Sequence, residues 1–349
     1  MKISRKLTAV FFSLLLALSL ASCGQNAEET TETADDMPIS PATENVVDGS
    51  EHMTINPRPV AALKGPTAMG LVSLMDQNRD GGTYEFTLAG SADEVTPLLI
   101  KGELDMACVP ANLAAVLYNK TEGQIVTLAV NTLGVLYIVE NGGESVQSMA
   151  DLAGKTIVAA GKGSTPEFGL RYLLAQNGLD PDTDVTIDWK SEHAECVSAL
   201  ASGAAEIALL PQPFVTAAQA KLENLRVALD LTAEWDALEN GSAMITGVIV
   251  ARKDVAENEP LVMDGFLVEY AASVNWANEN PADAAALIAE YGIVENPSIA
   301  EKALPHCNIV CITGPEMKDK LSGYLEVLFN AAPESVGGAL PGEDFYYGA

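Results

Sequence analysis

Hydrophobic positions fall into three regimes along the chain. Leu7 to Leu20 is an apolar stretch, and Gln25 to Glu51 is poor in large apolar residues. From about Val60 onward, short apolar runs alternate with amphipathic segments. The runs predict strands at Val60–Lys64, Asp105–Val109, Ile125–Val130, Leu136–Glu140, Thr156–Ala159, Val185–Trp189, Glu206–Leu210 and Met244–Ala251. Between them the apolar residues recur at helical spacing. Gly65-Pro66-Thr67 opens a helix to about Gln77, and Ser91-Ala-Asp-Glu94 has the capping-box pattern of a helix ending near Gly102. Further helices are expected from Asn112, from Thr165 to Gly178, and over His193–Ser202. Beyond Ala251 the pattern is mainly helical, over Asn258–Asn280, Pro281–Tyr291 and Gly314–Asn330. Strands separated by helices at this spacing imply βαβ units, hence an α/β fold with mostly parallel sheets.

Two motifs recur. Lys64-Gly65-Pro66-Thr67 echoes Lys162-Gly163-Ser164-Thr165, and Gly102-Glu-Leu-Asp-Met-Ala-Cys-Val-Pro110 echoes Gly203-Ala-Ala-Glu-Ile-Ala-Leu-Leu-Pro211. The offsets are nearly equal, and each set reads strand, Gly-Thr loop, helix, then later helix, Gly, strand, Pro. Two similar α/β lobes are expected, the second inserted in the first.

Composition narrows the class. At 349 residues, 48% hydrophobic and 19% charged, the chain is globular and long enough for about two domains. Its net charge of −29 argues against nucleic-acid partners, which need clustered Lys and Arg. The first 22 residues depart from this balance, with Lys2, Arg5 and Lys6 and no acid. A basic start and an apolar stretch shorter than the roughly 18 residues of a spanning helix make an export signal. It ends in Leu20-Ala21-Ser22-Cys23, which resembles the bacterial lipobox. Residues 1–22 are then a signal peptide, and a lipidated Cys23 holds the protein on the extracytoplasmic face of the cell membrane. Ordinary secretion with Cys23 incidental is the alternative. Residues 23–57 read as that cysteine and an acidic tether. Gln25–Glu51 has eight acids and no Lys or Arg, too little apolar area to offset its ordering entropy.

In open sheets, ligands bind beyond the carboxyl ends of the strands, where helix starts present free N–H groups. Four segments have that position: Lys64–Gly70, Val109–Asn112, Gly161–Glu167 and Leu210–Pro213. Glu167 is their only acid. The expected ligand-binding residues are Lys64, Pro66, Thr67, Ala68 and Met69; Pro110 and Asn112; Lys162, Ser164 and Thr165; and Leu210, Pro211 and Gln212. Backbone N–H groups of Thr67–Met69 and Ser164–Thr165, with the Asn112 and Gln212 side chains, supply polar contacts. Lys64 and Lys162 add positive potential, and Met69, Leu210 and Pro211 form apolar walls. Simple helix capping competes with this reading: Thr67 and Ser164 or Thr165 suit N-caps, Pro166 the first turn, and Glu167 a capping box with Ser164. Capping alone leaves the scarcity of acids in all four loops unexplained.

Catalytic motifs are poorly supported. Gly161-Lys-Gly-Ser-Thr-Pro166 has Pro where a dinucleotide loop needs Gly, and Gly154-Lys155-Thr156 precedes a strand rather than a helix. His52 lies in the tether. His193, beside Glu192 and Glu195, is expected at a solvated surface. Cys108 reads as a small buried hydrophobe. His306, Cys307 and Cys311 lack a fourth ligand, so no metal is expected, and a Cys307–Cys311 disulfide stays open. No cofactor is implied.

Lys64-Gly-Pro-Thr-Ala-Met-Gly70, Gly161-Lys-Gly-Ser-Thr-Pro-Glu167 and Leu210-Pro-Gln-Pro213 resemble loops of ABC-transporter solute-binding lipoproteins of the nitrate/sulfonate/taurine/pyrimidine-precursor branch. Asp151-Leu-Ala-Gly-Lys-Thr-Ile157 resembles the turn into that family's second lobe, and Pro341-Gly-Glu-Asp-Phe-Tyr-Tyr347 its C-terminal tail. The resemblance covers about residues 58 to 347. It implies a periplasmic binding protein type II fold, with two lobes joined by two hinge crossovers and closing on a small molecule for ABC permease subunits. The crossovers are expected near Val139–Gly143 and Gly241–Gly247. That gives a first lobe of residues 58–140 plus 245–349 and a second of 141–244. The implied protein is a monomer and not an enzyme. A membrane-tethered enzyme on the same fold and a sensor subunit for a receptor are the alternatives. The ligand is either an anion, such as a sulfonate or carboxylate, or a neutral heterocycle stacked on Trp189, Trp235 or Tyr137.

Overall fold

The computed structural model describes residues 56–349. The signal, Cys23 and the tether up to residue 55 lie outside them. The chain starts with β1 (Arg58–Leu63), α1 (Pro66–Met69), α2 (Val72–Gln77), β2 (Tyr84–Ala89), α3 (Ala92–Lys101), β3 (Met106–Pro110), α4 (Ala111–Lys120) and β4 (Ile125–Leu133). It continues through β5 (Leu136–Asn141), β6 (Thr156–Ala160), α5 (Thr165–Gln176), β7 (Thr186–Lys190), α6 (His193–Ala201), β8 (Ile207–Pro211), α7 (Phe214–Gln219), β9 (Leu225–Asp230) and α8 (Leu231–Asp236). The last part is β10 (Ile245–Arg252), α9 (Lys253–Asn258), α10 (Pro260–Glu279), α11 (Pro281–Glu290), α12 (Pro297–Ala303), β11 (Ile309–Ile312) and α13 (Gly314–Ala331).

Two sheets form, in the orders β11-β4-β10-β3-β1-β2 and β7-β6-β8-β5-β9. Read from the other edge, the first runs β2-β1-β3-β10-β4 before its extra strand β11. The second runs β7-β6-β8-β5-β9 in the same spatial order. Directions match as well: β1 is parallel to β2 and β3, and β6 to β7 and β8, while β10 and β5 run antiparallel to their neighbours. The echo in the sequence is thus one topology used twice.

Three expectations change. The sheets are mixed rather than mostly parallel, because β5 and β10 each enter a sheet against the direction of its first three strands. β5, expected to end the first lobe, pairs with β8 and β9 in the second sheet. The chain therefore crosses between Leu133 and Leu136 rather than near Val139–Gly143, and it returns through 237–244, beside the expected Gly241–Gly247. The helix expected to run to Gln77 is broken into α1 and α2 at Gly70. There a Cβ atom would lie 2.7 Å from the Tyr270 hydroxyl and 3.0 Å from Val274 Cγ2, so α10 packs directly on the backbone. The short, half-exposed β2 and β9 and the edge strand β11 had too little apolar pattern to be predicted.

Burial follows the patterns. β4 is buried along nearly its whole length, which is why it reads as a continuous apolar run. One core fills the face of the first sheet under α2, α10, α11 and α12, with Met69, Met106 and Phe266. Another joins the opposite face to the second lobe through α4, α5 and α13. There the Trp235 and Tyr324 rings meet at 5.4 Å between centroids. At the far end of β5, the buried Glu140 carboxylate accepts from the Arg226 guanidinium, from Ser145 N–H and Oγ, and from Val146 N–H.

Candidate functional site

The loops after β1 and β6 each turn sharply into a helix, and glycines make the turns possible. Gly65 has φ 123° and Gly163 φ 78°, both open to glycine and strained for other residues. Prolines then remove donors from the first turns. In α1, Pro66 has no N–H, and Ala68 and Met69 donate to the Gly65 carbonyl at 3.1 and 3.2 Å. Ser164 N–H, before α5, donates to Gly161 at 3.1 Å, and Glu167 N–H donates to Ser164 at 3.0 Å. The expected row of donors shrinks to Thr67 N–H and Thr165 N–H, which have no acceptor among the described residues.

The caps also differ from expectation. Thr67 Oγ1 donates back to the Leu63 carbonyl at 2.9 Å. Ser164 Oγ donates to the Gly161 carbonyl, and the Glu167 carboxylate accepts from Gly163 N–H at 2.6 Å rather than closing a capping box on Ser164. The one acid of the four loops is thereby spent on holding the loop.

Asn112, fully buried at the start of α4, joins the lobes. Its Nδ2 donates to the Ser335 carbonyl at 2.9 Å and to the Gly163 carbonyl at 3.4 Å, and its Oδ1 accepts from Thr165 Oγ1 at 3.5 Å. The last two bonds cross between lobes and are long, hence weak. On the other side Asn131 Nδ2 donates to the Thr67 carbonyl at 3.4 Å, and Thr132 Oγ1 donates to Asn131 Oδ1 at 3.0 Å. Gly247, opposite Pro110 on β10, lets this pair approach: a Cβ there would lie 2.5 Å from Asn131 Oδ1 and 2.7 Å from Thr67 Cγ2. Asn112 and Thr165 thus meet across the lobes at the ends of β3 and β6, while Thr67 and Pro110 both lie against Gly247 at the ends of the neighbouring β1 and β3. The surrounding buried polar side chains are amides and hydroxyls. The buried acids sit elsewhere, Asp105 beside Arg58 and Arg252 and Glu140 beside Arg226.

Other expected residues are placed differently. Gln212 is buried, but its Oε1 accepts from the N–H and Oγ1 of Thr216 at 3.3 and 2.9 Å, so it caps α7. Met69 and Ala68 pack in the core of the first lobe and Leu210 in that of the second, not as walls of a shared site. Pro211 is buried and Pro66 half-buried beside them. Lys64 and Lys162 are exposed. Lys162 lines a cleft of about 700 Å³ along α5, with Phe168, Tyr172, Trp189 and the end of α13. Trp235 is fully buried and donates to Ser242 Oγ at 3.0 Å, so it cannot stack on a ligand. Tyr137 is half-buried, its hydroxyl pushed up to about 12 by burial and then by Asp230.

His193 is half-buried on a helix start whose flanking residues are exposed. Its ring packs on Phe214 at 5.3 Å, its Nδ1 is buried without a partner, and burial lowers it to about 4, so it stays neutral. The four cysteines among the described residues are free thiols. Cys307 Sγ donates to the Ala303 carbonyl at 3.2 Å, and Cys311 lies in β11. Four polar residues at the junction escaped the sequence reading. Asn131 and Thr132, two polar residues closing the apolar run of β4, carried a signal. Tyr324 and Ser335 carried none.

Over residues 72–295 the chain matches the family described as ABC transporter, phosphonate, periplasmic substrate-binding protein. No curated protein matches it. Among solved structures it is similar to an ABC transporter from Parabacteroides distasonis, with 26% identity and a TM-score of 0.69 over 83% of this chain and 98% of that one. It also resembles the periplasmic aliphatic sulphonate binding protein SsuA from Escherichia coli, with 17% identity and TM-score 0.66 over 83% and 91%. The alkanesulfonate-binding protein SsuA from Xanthomonas axonopodis pv. citri, bound to MOPS, follows with 15% identity and TM-score 0.63 over 82% and 94%. At these identities the SsuA likenesses show the fold, a two-lobed α/β periplasmic binding protein.

Proposed function

The chain belongs to the family of ABC-transporter periplasmic substrate-binding proteins described for phosphonates, and from that premise we propose that it is a lipid-anchored capture protein. It closes two lobes on a small molecule and delivers it to a permease. The observation that carries this reading is the pair of bonds by which Asn112 of the first lobe reaches Gly163 and Thr165 of the second, with Thr67 held by Asn131 at the neighbouring strand end. A ligand seated there touches both lobes, so it stabilises the closed state by its differential affinity for that state. Long bonds between Asn112 and the Gly163–Thr165 loop favour such exchange, because a ligand replaces them at little loss.

Binding rather than turnover suits the chemistry. The junction offers hydroxyls, amides and two unbonded N–H groups, and no side chain there titrates near neutral pH. The first lobe spans the sheet of β1–β4, β10 and β11, and the second that of β5–β9. The lipid on Cys23 and the acidic tether hold this body at the outer membrane face, and no described helix is long and apolar enough to span a membrane. Cys23→Ser is expected to release the protein into the soluble extracytoplasmic fraction; retention at the membrane refutes the anchor. Calorimetric titration with methylphosphonate, methanesulfonate, nitrate and a neutral pyrimidine tests the capture itself. Heat of binding with one of them supports the reading, and none at millimolar concentration counts against it.

A further inference from the structure

The C-terminal segment brings two hydroxyls to the junction that nothing in the fold uses. Tyr324, on α13, is fully buried, and its hydroxyl has no hydrogen-bond partner. Ser335, in the 3₁₀ turn Pro333–Val336, is buried to within 1%, and its Oγ also has none. Both lie at the Asn112–Thr165 pair. The Ser335 carbonyl accepts from Asn112 Nδ2, and the Tyr324 phenol makes only a weak approach to the Thr165 hydroxyl, short of a well-formed hydrogen bond. Burying a hydroxyl without a partner costs roughly 1–3 kcal/mol in proteins, so two at one spot are an unusual expense unless something pairs with them.

The bonds already made say what that something is. Asn112 holds one N–H firmly on the Ser335 carbonyl, and its longer bonds to Gly163 and Thr165 are the ones a ligand displaces. What remains open is the Thr165 N–H, a donor only, at the start of a 12-residue helix, with the Tyr324 and Ser335 hydroxyls near it, which donate as readily as they accept. Together they suit acceptor oxygens, and the helix start favours negative charge on them.

We propose that Tyr324 and Ser335 are ligand-binding residues which, with Thr165, hold the oxyanion end of a small sulfonate or phosphonate. This rests on the capture reading above and adds the C-terminal segment to its site. α13 and the turn after it then act as a lobe-one jaw closing on the start of α5.

The test is calorimetric titration of wild type, Tyr324→Phe and Ser335→Ala with methylphosphonate and methanesulfonate, alongside melting of each unliganded protein. The phenylalanine keeps the ring that packs on Trp235, so the fold is preserved. Each variant is expected to bind about tenfold or more weakly, the loss of one charge-assisted hydrogen bond, while its unliganded melting temperature stays level or rises. Variants that bind as well as a binding-competent wild type overturn the inference and leave the capture reading standing. A fall of several degrees in the unliganded variants shows that the hydroxyls are paired within the protein and also overturns it. A wild type that binds neither probe refutes the oxyanion class, and the inference with it.

Discussion

Asn112→Ala is the perturbation that separates the junction's structural role from its binding role. The substitution removes three contacts of unequal worth. The bond to the Ser335 carbonyl, at 2.9 Å, is well formed, and its loss strands a carbonyl in a residue only 1% exposed. An unpaired buried acceptor costs roughly 1–3 kcal/mol. The N–H···O bond to Gly163, at 3.4 Å, and the O–H···O bond from Thr165, at 3.5 Å, both lie past the usual range for their kind and add little. A total near 2 kcal/mol corresponds, for a folded body of this size, to a drop of roughly 3 °C in melting temperature. Thermal unfolding by circular dichroism, with urea titration as a check, measures it. Melting within 1 °C of wild type refutes the assignment of the Ser335 bond. A loss far above the expected drop shows instead that the interlobe bonds are strong, against the weak closure inferred from their lengths.

Three further outcomes follow from the structure. Burial pushes Glu140 upward, but the Ser145 hydroxyl and N–H, the Val146 N–H and Arg226 outweigh it and hold the carboxyl at about 2. Its stabilisation is therefore complete above its ordinary value of 4.5 and is lost as pH falls toward 2, about 3 kcal/mol in all. Glu140→Gln is expected to flatten the acid limb of a stability–pH curve between those values, and an unchanged limb contradicts it. Gly247→Ala drives a Cβ into Asn131 and Thr67, costing about 1–3 kcal/mol and weakening ligand binding together; full affinity with intact melting refutes the close approach. Burial raises Cys108 to about 12, against a lowering contribution from Asn131, and raises Cys307 further still. Iodoacetamide at pH 8 is expected to leave both unmodified until denaturant is added, as read by peptide mass mapping; rapid labelling of either contradicts their burial.

Much of this architecture is legible in the residues. Glycine and proline punctuation located the turns after β1 and β6, and the two-motif echo anticipated a topology used twice. Failures have physical causes. β5 reads as an ordinary strand of the first lobe, because its apolar pattern fits either sheet; only the pairing with β8 and β9 decides. Met69 and Leu210 fall in segments expected to be loops at the junction, yet they end α1 and lie within β8, whose geometry turns them into the cores of their own lobes. Tyr324 falls within the apolar stripe of α13 and looks like core until its unpaired hydroxyl is seen. Ser335 reaches Asn112 from 223 residues away, a contact no local pattern encodes.

The central claim is that one small molecule is gripped by both lobes at the start of α1 and of α5. Hydrogen exchange at the Thr67 and Thr165 amides tests it most directly, because both N–H groups lack an acceptor among the described residues. With methylphosphonate or methanesulfonate added at saturation, exchange is expected to slow in the peptides covering both residues together. Protection of one alone, or protection confined to the cleft around Phe168 and Trp189, contradicts capture between the lobes.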